Sequence, residues 1–438
     1  MPATAVILAA GQGTRMKSAL PKALHPLAGR PMLRHLLASC EQVFDHIVVV
    51  IGPGMEAVQA VAAPHACVVQ SQPLGTAHAA LQAAEKFGTG EVAVLYADNP
   101  LIRPDTLRGL LARRAAGDAA LALLVMRPPD PGRYGRVIGA GEYIERIVEW
   151  ADATDAERAE TLCNAGVLCA SAADIARWLT AVRADNAKGE YYLTDLVALA
   201  RDDGARVAAV LAPYGELRGI NSRAELAEAE AVVQSWLRAA ALDAGVTMTD
   251  PASVFLAADT ALESDVTIGP NVVFGPGVRI ASGTEIRAFS HLEGCTIGPN
   301  CIIGPHARIR PGSVLAEGVH IGNFVELKAA TLGPGAKANH LTYLGDAEVG
   351  AATNIGAGTI TCNYDGFEKH RTRIGARAFI GSDVALVAPV SVGDGAIIAA
   401  GSVITEDVPT DALAIARGRQ TVKPGRAAAF RASRRKPA

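Results

Sequence analysis

Two patterns of apolar and polar positions divide this chain. From residue 1 to about 221, short apolar runs alternate with amphipathic stretches. Runs at 6–10, 47–51, 92–96 and 120–126 predict buried strands, and 33–43, 55–62 and 75–86 predict helices. Such alternation predicts a mostly parallel sheet flanked by helices, with ligands at the carboxyl ends of its strands. From about residue 246 the rhythm changes to six. Apolar residues recur at Ile268, Phe274, Ile280, Ile286 and Leu292. After a one-residue slip they continue at Ile297, Ile303, Ile309, Leu315, Ile321 and Leu327, and a late run holds Ile374, Ile380, Leu386, Val392, Ile398 and Ile404. A period of six is neither helical nor simple strand alternation. It predicts a parallel β-helix in which each hexapeptide gives one short strand and one corner.

The period fails between Leu344 and Ile374, where 361–373 reads as an extra loop leaving the solenoid. Between the two halves, Ser222-Arg-Ala-Glu225 is a capping-box pattern that opens a helix to about Ala244, ending at Gly245. Leu226, Ala229, Val233, Trp236 and Leu237 form its apolar face. It reads as an inter-domain arm or as the last helix of the front domain. The expected organisation is 1–221, a 222–245 arm, a 246–418 β-helix and a disordered basic tail over 419–438 around Arg434-Arg435-Lys436.

Composition narrows the class. A chain of 438 residues calls for two or three domains, and its net charge of −3 offers no bulk attraction for nucleic acid. Seven cysteines without a C-x-x-C pair argue against a disulfide framework and a zinc site. The first apolar run is too short for a membrane span and has no basic flank, so a cytoplasmic enzyme without membrane partners is expected.

The first strand enters Leu8-Ala9-Ala10-Gly11-Gln12-Gly13-Thr14-Arg15-Met16, with Lys22 following. Glycines there admit backbone N–H groups to a phosphate, and Arg15 and Lys22 add positive charge. By itself the pair describes a tight strand-to-helix turn equally well. Asp98, after Tyr96-Ala97, sits at a strand's carboxyl edge, where a carboxylate can hold Mg²⁺ against phosphates. Together with Gln70, Gly75-Thr76, Tyr134-Gly135-Arg136, Val148-Glu149, Asn164, 189–192 and Gly219-Ile220-Asn221, the order resembles the sugar-phosphate nucleotidyltransferase family, in its N-acetylglucosamine-1-phosphate uridylyltransferase branch.

The resemblance implies that Leu8, Ala9, Ala10, Gly11, Gly13, Arg15 and Lys22 bind nucleotide, and that Gln70 and Gly75, beside Thr76 and Tyr96, read uracil. It implies that Gly135, Glu149 and Asn164 hold N-acetylglucosamine and that Asp98 and Asn221 hold Mg²⁺. The sequence departs from the family's usual Gly, Lys and Thr at Ala97, Ala151 and Ala165.

In the solenoid, Ala307-Arg-Ile-Arg-Pro-Gly312, 322–328, Asn339-His-Leu-Thr-Tyr-Leu-Gly-Asp346, 354–358 and Asn363-Tyr-Asp-Gly366 resemble the glucosamine-1-phosphate acetyltransferase domain. The resemblance makes His340 the general base. Lying two residues past the inward slot at Ala338, it should face outward. The resemblance assigns Arg310, Lys328, Tyr343, Asn354 and Lys369 to the sugar phosphate, Asn363 and Tyr364 to the thioester region, and Ser382, Ala400 and Arg417 to acetyl-CoA. Ser382 and Ala400, 18 residues apart in an unbroken stretch, should stack on adjacent coils.

The fold expected is thus an α/β chain: a Rossmann-like nucleotidyltransferase domain, a helical arm and a hexapeptide β-helix, left-handed by resemblance. The expected function is synthesis of UDP-N-acetylglucosamine, a cell-wall and lipopolysaccharide precursor, from UTP, acetyl-CoA and glucosamine-1-phosphate, in a homotrimer with the acetyl site between subunits. A single-activity uridylyltransferase with a scaffolding solenoid, and a binding protein without chemistry, are the competing readings. His340, Lys328 and Asn363-Tyr364 argue against the first; Lys22, Asp98 and Asn221 argue against the second.

Overall fold

The computed structural model describes residues 2–11, 13–186 and 188–434. The chain forms two compact units, 1–237 and 238–438. Their boundary falls inside the helix Arg223–Asp243, not at its ends as the sequence suggested. Ala229 and Val233 of this helix are buried as expected, but Trp236 is 37 % exposed, contrary to the sequence reading. Instead, its indole lies 5.7 Å from the Arg103 guanidinium.

The front unit holds one nine-stranded sheet. From one edge its strands run Ala66–Val69, His46–Ile51, Ala3–Leu8, Glu91–Tyr96, Cys163–Ser171, Leu121–Met126, Val207–Leu211, Tyr143–Val148 and Arg136–Ala140. The first four pair in parallel, and Cys163–Ser171 enters antiparallel to both neighbours. The central strand Ala3–Leu8 is buried at every position, so its sequence is a continuous apolar run without alternation. Two clusters cover the sheet's faces: Ile7, Leu33, Leu37 and Leu95 in one, Val6, Val94, Ile175 and Trp178 in the other. The expected helix over 75–86 is split into Thr76–Leu81 and the short turn Ala84–Lys86.

The back unit is a parallel β-helix of three faces. Ten strands, from Thr247–Met248 to Leu413–Ala414, form face one. Eight strands from Val273–Phe274 to Val403–Ile404 form face two, and eight from Ala261–Leu262 to Val390–Val392 form face three. Every apolar residue of the six-residue series is at most 4 % exposed. The second residue of each pair points in, and the first faces solvent.

The series does not stop where the sequence loses it. It continues inward through Leu332, Ala338, Leu344, Val349, Ile355 and Thr361, with two further five-residue steps. Thr361 hides the pattern because a hydroxyl occupies a core slot. Its Oγ1 accepts the Gly345 N–H at 2.8 Å and donates to the Gly345 carbonyl at 3.1 Å, so the polar atom is satisfied. The expelled loop runs between strands Ile360–Cys362 and Thr372–Ile374.

The tail also differs from expectation. Residues Arg426–Arg434 form a helix with no buried residue, consistent with the high intrinsic propensity of Ala427, Ala428 and Ala429. The remaining basic residues, 435 and 436, lie outside the described residues.

Candidate active sites

In the front unit, the carboxyl ends of Ala3–Leu8 and Glu91–Tyr96 open onto a cavity of about 260 Å³. Leu8, Ala9, Ala10, Gly11, Lys22, Gln70, Gly75, Thr76, Tyr96 and Asp98 all line it. These ten positions, spread over 90 residues of sequence, meet because the parallel register sets both strand ends side by side.

The loop after the first strand is shaped by close packing. Gly13 has φ +64°, and a Cβ there would lie 2.5 Å from Lys22 Cβ. Only glycine lets the Lys22 stem pass over the turn. At Gly11 an added Cβ would meet nothing within 4 Å, so this side of the loop is open to a ligand. Lys22 Nζ donates to Asp98 Oδ2 and, at 2.9 Å, to Asn221 Oδ1. Arg15 Nη2 donates to the same Asn221 oxygen at 2.8 Å. Asn221 and Arg15, absent from the cavity wall, are thereby tied to its mouth.

Gln70 is 5 % exposed, and its Nε2 contacts the Gly75 carbonyl at 3.1 Å and His78 Nδ1 at 3.0 Å. With the amide nitrogen so engaged, its oxygen is the atom left to accept a ligand N–H. Gly75 has φ +120°, and a Cβ would fall 2.4 Å from the Tyr191 carbonyl oxygen.

Beyond Tyr96, the sugar candidates form a second group. Asn164 N–H donates to the Gly135 carbonyl at 2.9 Å, and Asn164 Oδ1 accepts from Gly166 N–H at 2.9 Å. Gly166 packs beneath the Tyr96 ring, where a Cβ would stand 2.6 Å from it. Burial raises the pKa of Glu149, with Lys188 opposing the shift. Arg136 is 3 % exposed and donates to the carbonyls of Pro131, Gly132, Tyr134 and Arg158, bracing the loop that leads into Gly135.

Sequence reasoning missed Ala23, Pro73 and Ala79, which also line the cavity. Small apolar residues carry no signature of their own. Of the three departures, Ala97 (3 % exposed) lines the cavity, Ala165 is buried next to Asn164, and Ala151 is exposed.

In the back unit, His340 ends the face-one strand Lys337–His340, with its side chain exposed as the Ala338 slot predicts. Asn323 stands beside it in register, and Asn323 Oδ1 lies 3.1 Å from His340 Nδ1. This partner was not picked out from the sequence. Its signal was the 17-residue offset between neighbouring coils. Ser382 and Ala400 stack as expected: Gly401 N–H donates to the Ser382 carbonyl at 2.8 Å, within the Phe379–Ile397 register. Arg417 Nη1 then caps the Ala400 carbonyl at 2.6 Å. The Asp383 N–H to Ala357 carbonyl bond and the Gly358 N–H to His340 carbonyl bond extend the same column down to His340.

Face two carries the cations. Arg310 Nη1 donates to Glu326 Oε1 at 2.8 Å. The neighbouring Lys369 lowers the Lys328 pKa. Two ammonium groups held together call for an anion. Asn363 Nδ2 reaches Asp346 Oδ2 at 2.5 Å, and the side chains of Asn363 and of Tyr343, on the strand Tyr343–Gly345, both lie over Gly345. Tyr364 is 60 % exposed on the expelled loop, paired across it with Lys369. Asn354 is not brought to this group. It lies on face one, between Lys337 and Phe379 in register.

The comparisons agree with both halves. Residues 5–159 match the MobA-like NTP transferase domain, residues 248–340 the GMPPB C-terminal domain, and residues 371–406 the hexapeptide repeat of succinyl-transferase. A protein of Gluconacetobacter diazotrophicus named bifunctional protein GlmU is 68 % identical over 439 residues, covering 99 % of this chain and 95 % of its own. Its namesake from Acidiphilium cryptum is 68 % identical over 433 residues, covering 99 % of both chains. That from Granulibacter bethesdensis is 67 % identical over 432 residues, covering 98 % of this chain and 96 % of its own. At this identity over nearly the whole chain, the chain belongs to the family of bifunctional GlmU proteins.

Proposed function

We propose that the two sites act in sequence to make UDP-N-acetylglucosamine. The back unit acetylates glucosamine-1-phosphate from acetyl-CoA, and the front unit joins the product to UMP from UTP, releasing pyrophosphate. The observation that carries the reading is the meeting of Lys22, Asp98 and Asn221 at the mouth of a cavity whose walls hold the glycine loop and Gln70.

In the acetyl step, the phosphate of glucosamine-1-phosphate is held by Lys328, Lys369 and Arg310. Asn323 accepts the Nδ1 proton of His340, which leaves the Nε2 lone pair free. Nε2 takes a proton from the substrate amine as nitrogen attacks the thioester carbonyl, and the CoA thiolate leaves. The column of Ala357, Ser382 and Ala400, with small side chains, suits an extended pantetheine, and Arg417 suits its phosphates.

In the uridylyl step, Gly11 and its neighbours offer backbone N–H groups to the triphosphate. Gln70 accepts the N–H of uracil. Glu149, Asn164 and Gly135 hold the sugar. Its phosphate oxygen attacks the α-phosphorus, and no covalent enzyme intermediate is needed. A carboxylate and an amide oxygen suit Mg²⁺, and the Lys22 ammonium already contacts both, so one cation fits between them. When bound by Asp98 and Asn221, Mg²⁺ would neutralise charge on the phosphates.

A homotrimer in the cytoplasm is part of this reading. Its support is an exposed ladder at one corner of the β-helix, where Phe289, His306 and Phe324 stack at 5.0 and 5.1 Å, with Leu341 following at 64 % exposure. A second copy would cover this apolar edge. The test is a mass-resolved product assay with glucosamine-1-phosphate, acetyl-CoA, UTP and Mg²⁺, omitting one at a time. UDP-N-acetylglucosamine should need all four, and N-acetylglucosamine-1-phosphate should accumulate without UTP. Uridylylation of supplied N-acetylglucosamine-1-phosphate without any acetylation would leave the solenoid a scaffold.

A further inference from the structure

Asn221 sits on a short segment whose backbone is fastened from several sides. Asn99, 4 % exposed, donates from Nδ2 to the Leu217 carbonyl at 2.7 Å, and the Ile220 N–H donates to the Asp98 carbonyl at 2.9 Å. At the far end the helix cap departs from a standard capping box. Glu225 N–H donates to Ser222 Oγ at 3.2 Å as usual. The Glu225 carboxylate reaches back one residue further and accepts the Asn221 N–H at 2.7 Å.

Arg223, in the first turn of this helix, points the other way. Its Nε donates to the Met16 carbonyl at 3.2 Å, and its Nη1 lies 3.2 Å from His25 Nδ1. Met16 closes the short helical turn Thr14–Met16 that follows Gly13 and carries Arg15. His25 follows the turn Lys22–Leu24. A guanidinium only donates, so His25 Nδ1 accepts and the ring proton lies on Nε2. One side chain thus joins the ends of the two turns that supply Arg15 and Lys22. It does so two residues from Asn221, the oxygen both of those cations contact.

We propose that Arg223 is a positioning residue for uridylyl transfer: it fixes the Arg15 and Lys22 turns against Asn221 and does not itself touch substrate. The role is geometric. The fork of Arg223 reaches two acceptors on separate turns from two different nitrogens, and an ammonium in its place would keep the charge but offer all its donors from a single atom, without the planar fork. The proposal rests on the uridylyl reading of the front cavity.

The test uses the full chain with Arg223→Lys and Arg223→Gln. Uridylyl kcat and KM are measured across a Mg²⁺ series, and acetyl transfer in the same preparations is the internal control. Mn²⁺ binding with UTP is followed by electron paramagnetic resonance. Both variants are expected to lose roughly tenfold to a hundredfold in uridylyl kcat, the scale of a small misplacement of reacting groups. Both should also need more metal and bind Mn²⁺ more weakly, with acetyl transfer unchanged.

Full recovery by Arg223→Lys would make charge sufficient and overturn the proposal. Wild-type kcat and metal binding in Arg223→Gln would also overturn it, as would a loss shared equally by acetyl transfer. Failure of the unaltered chain to make any UDP-sugar would instead remove the uridylyl reading beneath it.

Discussion

Asn323 and His340 stand one coil apart in register, with Asn323 Oδ1 3.1 Å from His340 Nδ1. The pairing assigns the two ring nitrogens different tasks. Asn323→Ala should leave the imidazole free to turn and lower acetyl-transfer kcat roughly tenfold to a hundredfold. His340→Ala should cost about a hundredfold or more. Neither should change uridylylation of supplied N-acetylglucosamine-1-phosphate, and parallel assays of the two steps check this.

Asp98→Asn removes the carboxylate that pairs with Lys22 at the mouth of the front cavity. Uridylyl transfer should fall by about a hundredfold or more, because charge neutralisation on phosphate is the main work of this site. Acetyl transfer should remain. Steady-state kinetics on both steps, over a range of Mg²⁺, separates lost metal from lost folding.

Glu149 should shape the acid side of the uridylyl pH profile. Burial raises its pKa, so it takes a proton at a higher pH than an exposed glutamate and would then accept more weakly from sugar hydroxyls. KM for the sugar phosphate should rise as pH falls through that raised value. The stability effect runs in the other direction. The unfolded chain ionises near 4.5 while the folded one still holds the proton, so folding loses stability as pH rises between the two values. Glu149→Gln should raise KM at neutral pH and remove both dependences, as kinetics and thermal melts across pH would record.

Gly75→Ala places a methyl 2.4 Å from the Tyr191 carbonyl oxygen in a backbone with φ +120°. The strain is of order 1–3 kcal/mol, and the segment carrying Gln70's partner must shift. KM for UTP should rise more than kcat falls, and a lowered melting temperature should accompany it.

Thr361→Val keeps the shape of a core residue but removes the hydroxyl that accepts the Gly345 N–H at 2.8 Å. An unpaired buried donor costs about 1–3 kcal/mol. The back unit should melt earlier, and acetyl transfer should weaken through Gly345, which neighbours Lys328 in register. Calorimetry resolves the effect.

Much of this was legible in the sequence because it depends on local periodicity. The inward series from Ile268 to Leu327, and again from Ile374 to Ile404, repeats one short-range steric demand in every coil, so six-residue spacing alone marks the buried positions. The strand ending at Leu8 and the Gly13 turn were readable for the same reason: apolar runs and positive-φ glycines are local facts. The glycine loop, Lys22 and Asp98 were found as motifs, and Ser382 and Ala400 were stacked by arithmetic.

Tertiary structure decided what local spacing does not contain. Thr361 broke the apolar pattern because its burial is made tolerable by hydrogen bonds to a neighbouring coil, a partner that spacing does not reveal. Trp236 fell on the helix's apolar stripe, yet it stands at the surface with the guanidinium of Arg103, distant in sequence, 5.7 Å from its ring. Asn323 beside His340, and Arg223 between Met16 and His25, carry no motif. Their roles come from which coil and which turn the fold sets next to them. The sequence by itself determined the periodic core positions and which loops are candidates for phosphate chemistry, because those follow from short-range sterics and charge. Only the tertiary structure decided which side chains hold those loops in place, because that depends on contacts between segments up to 207 residues apart.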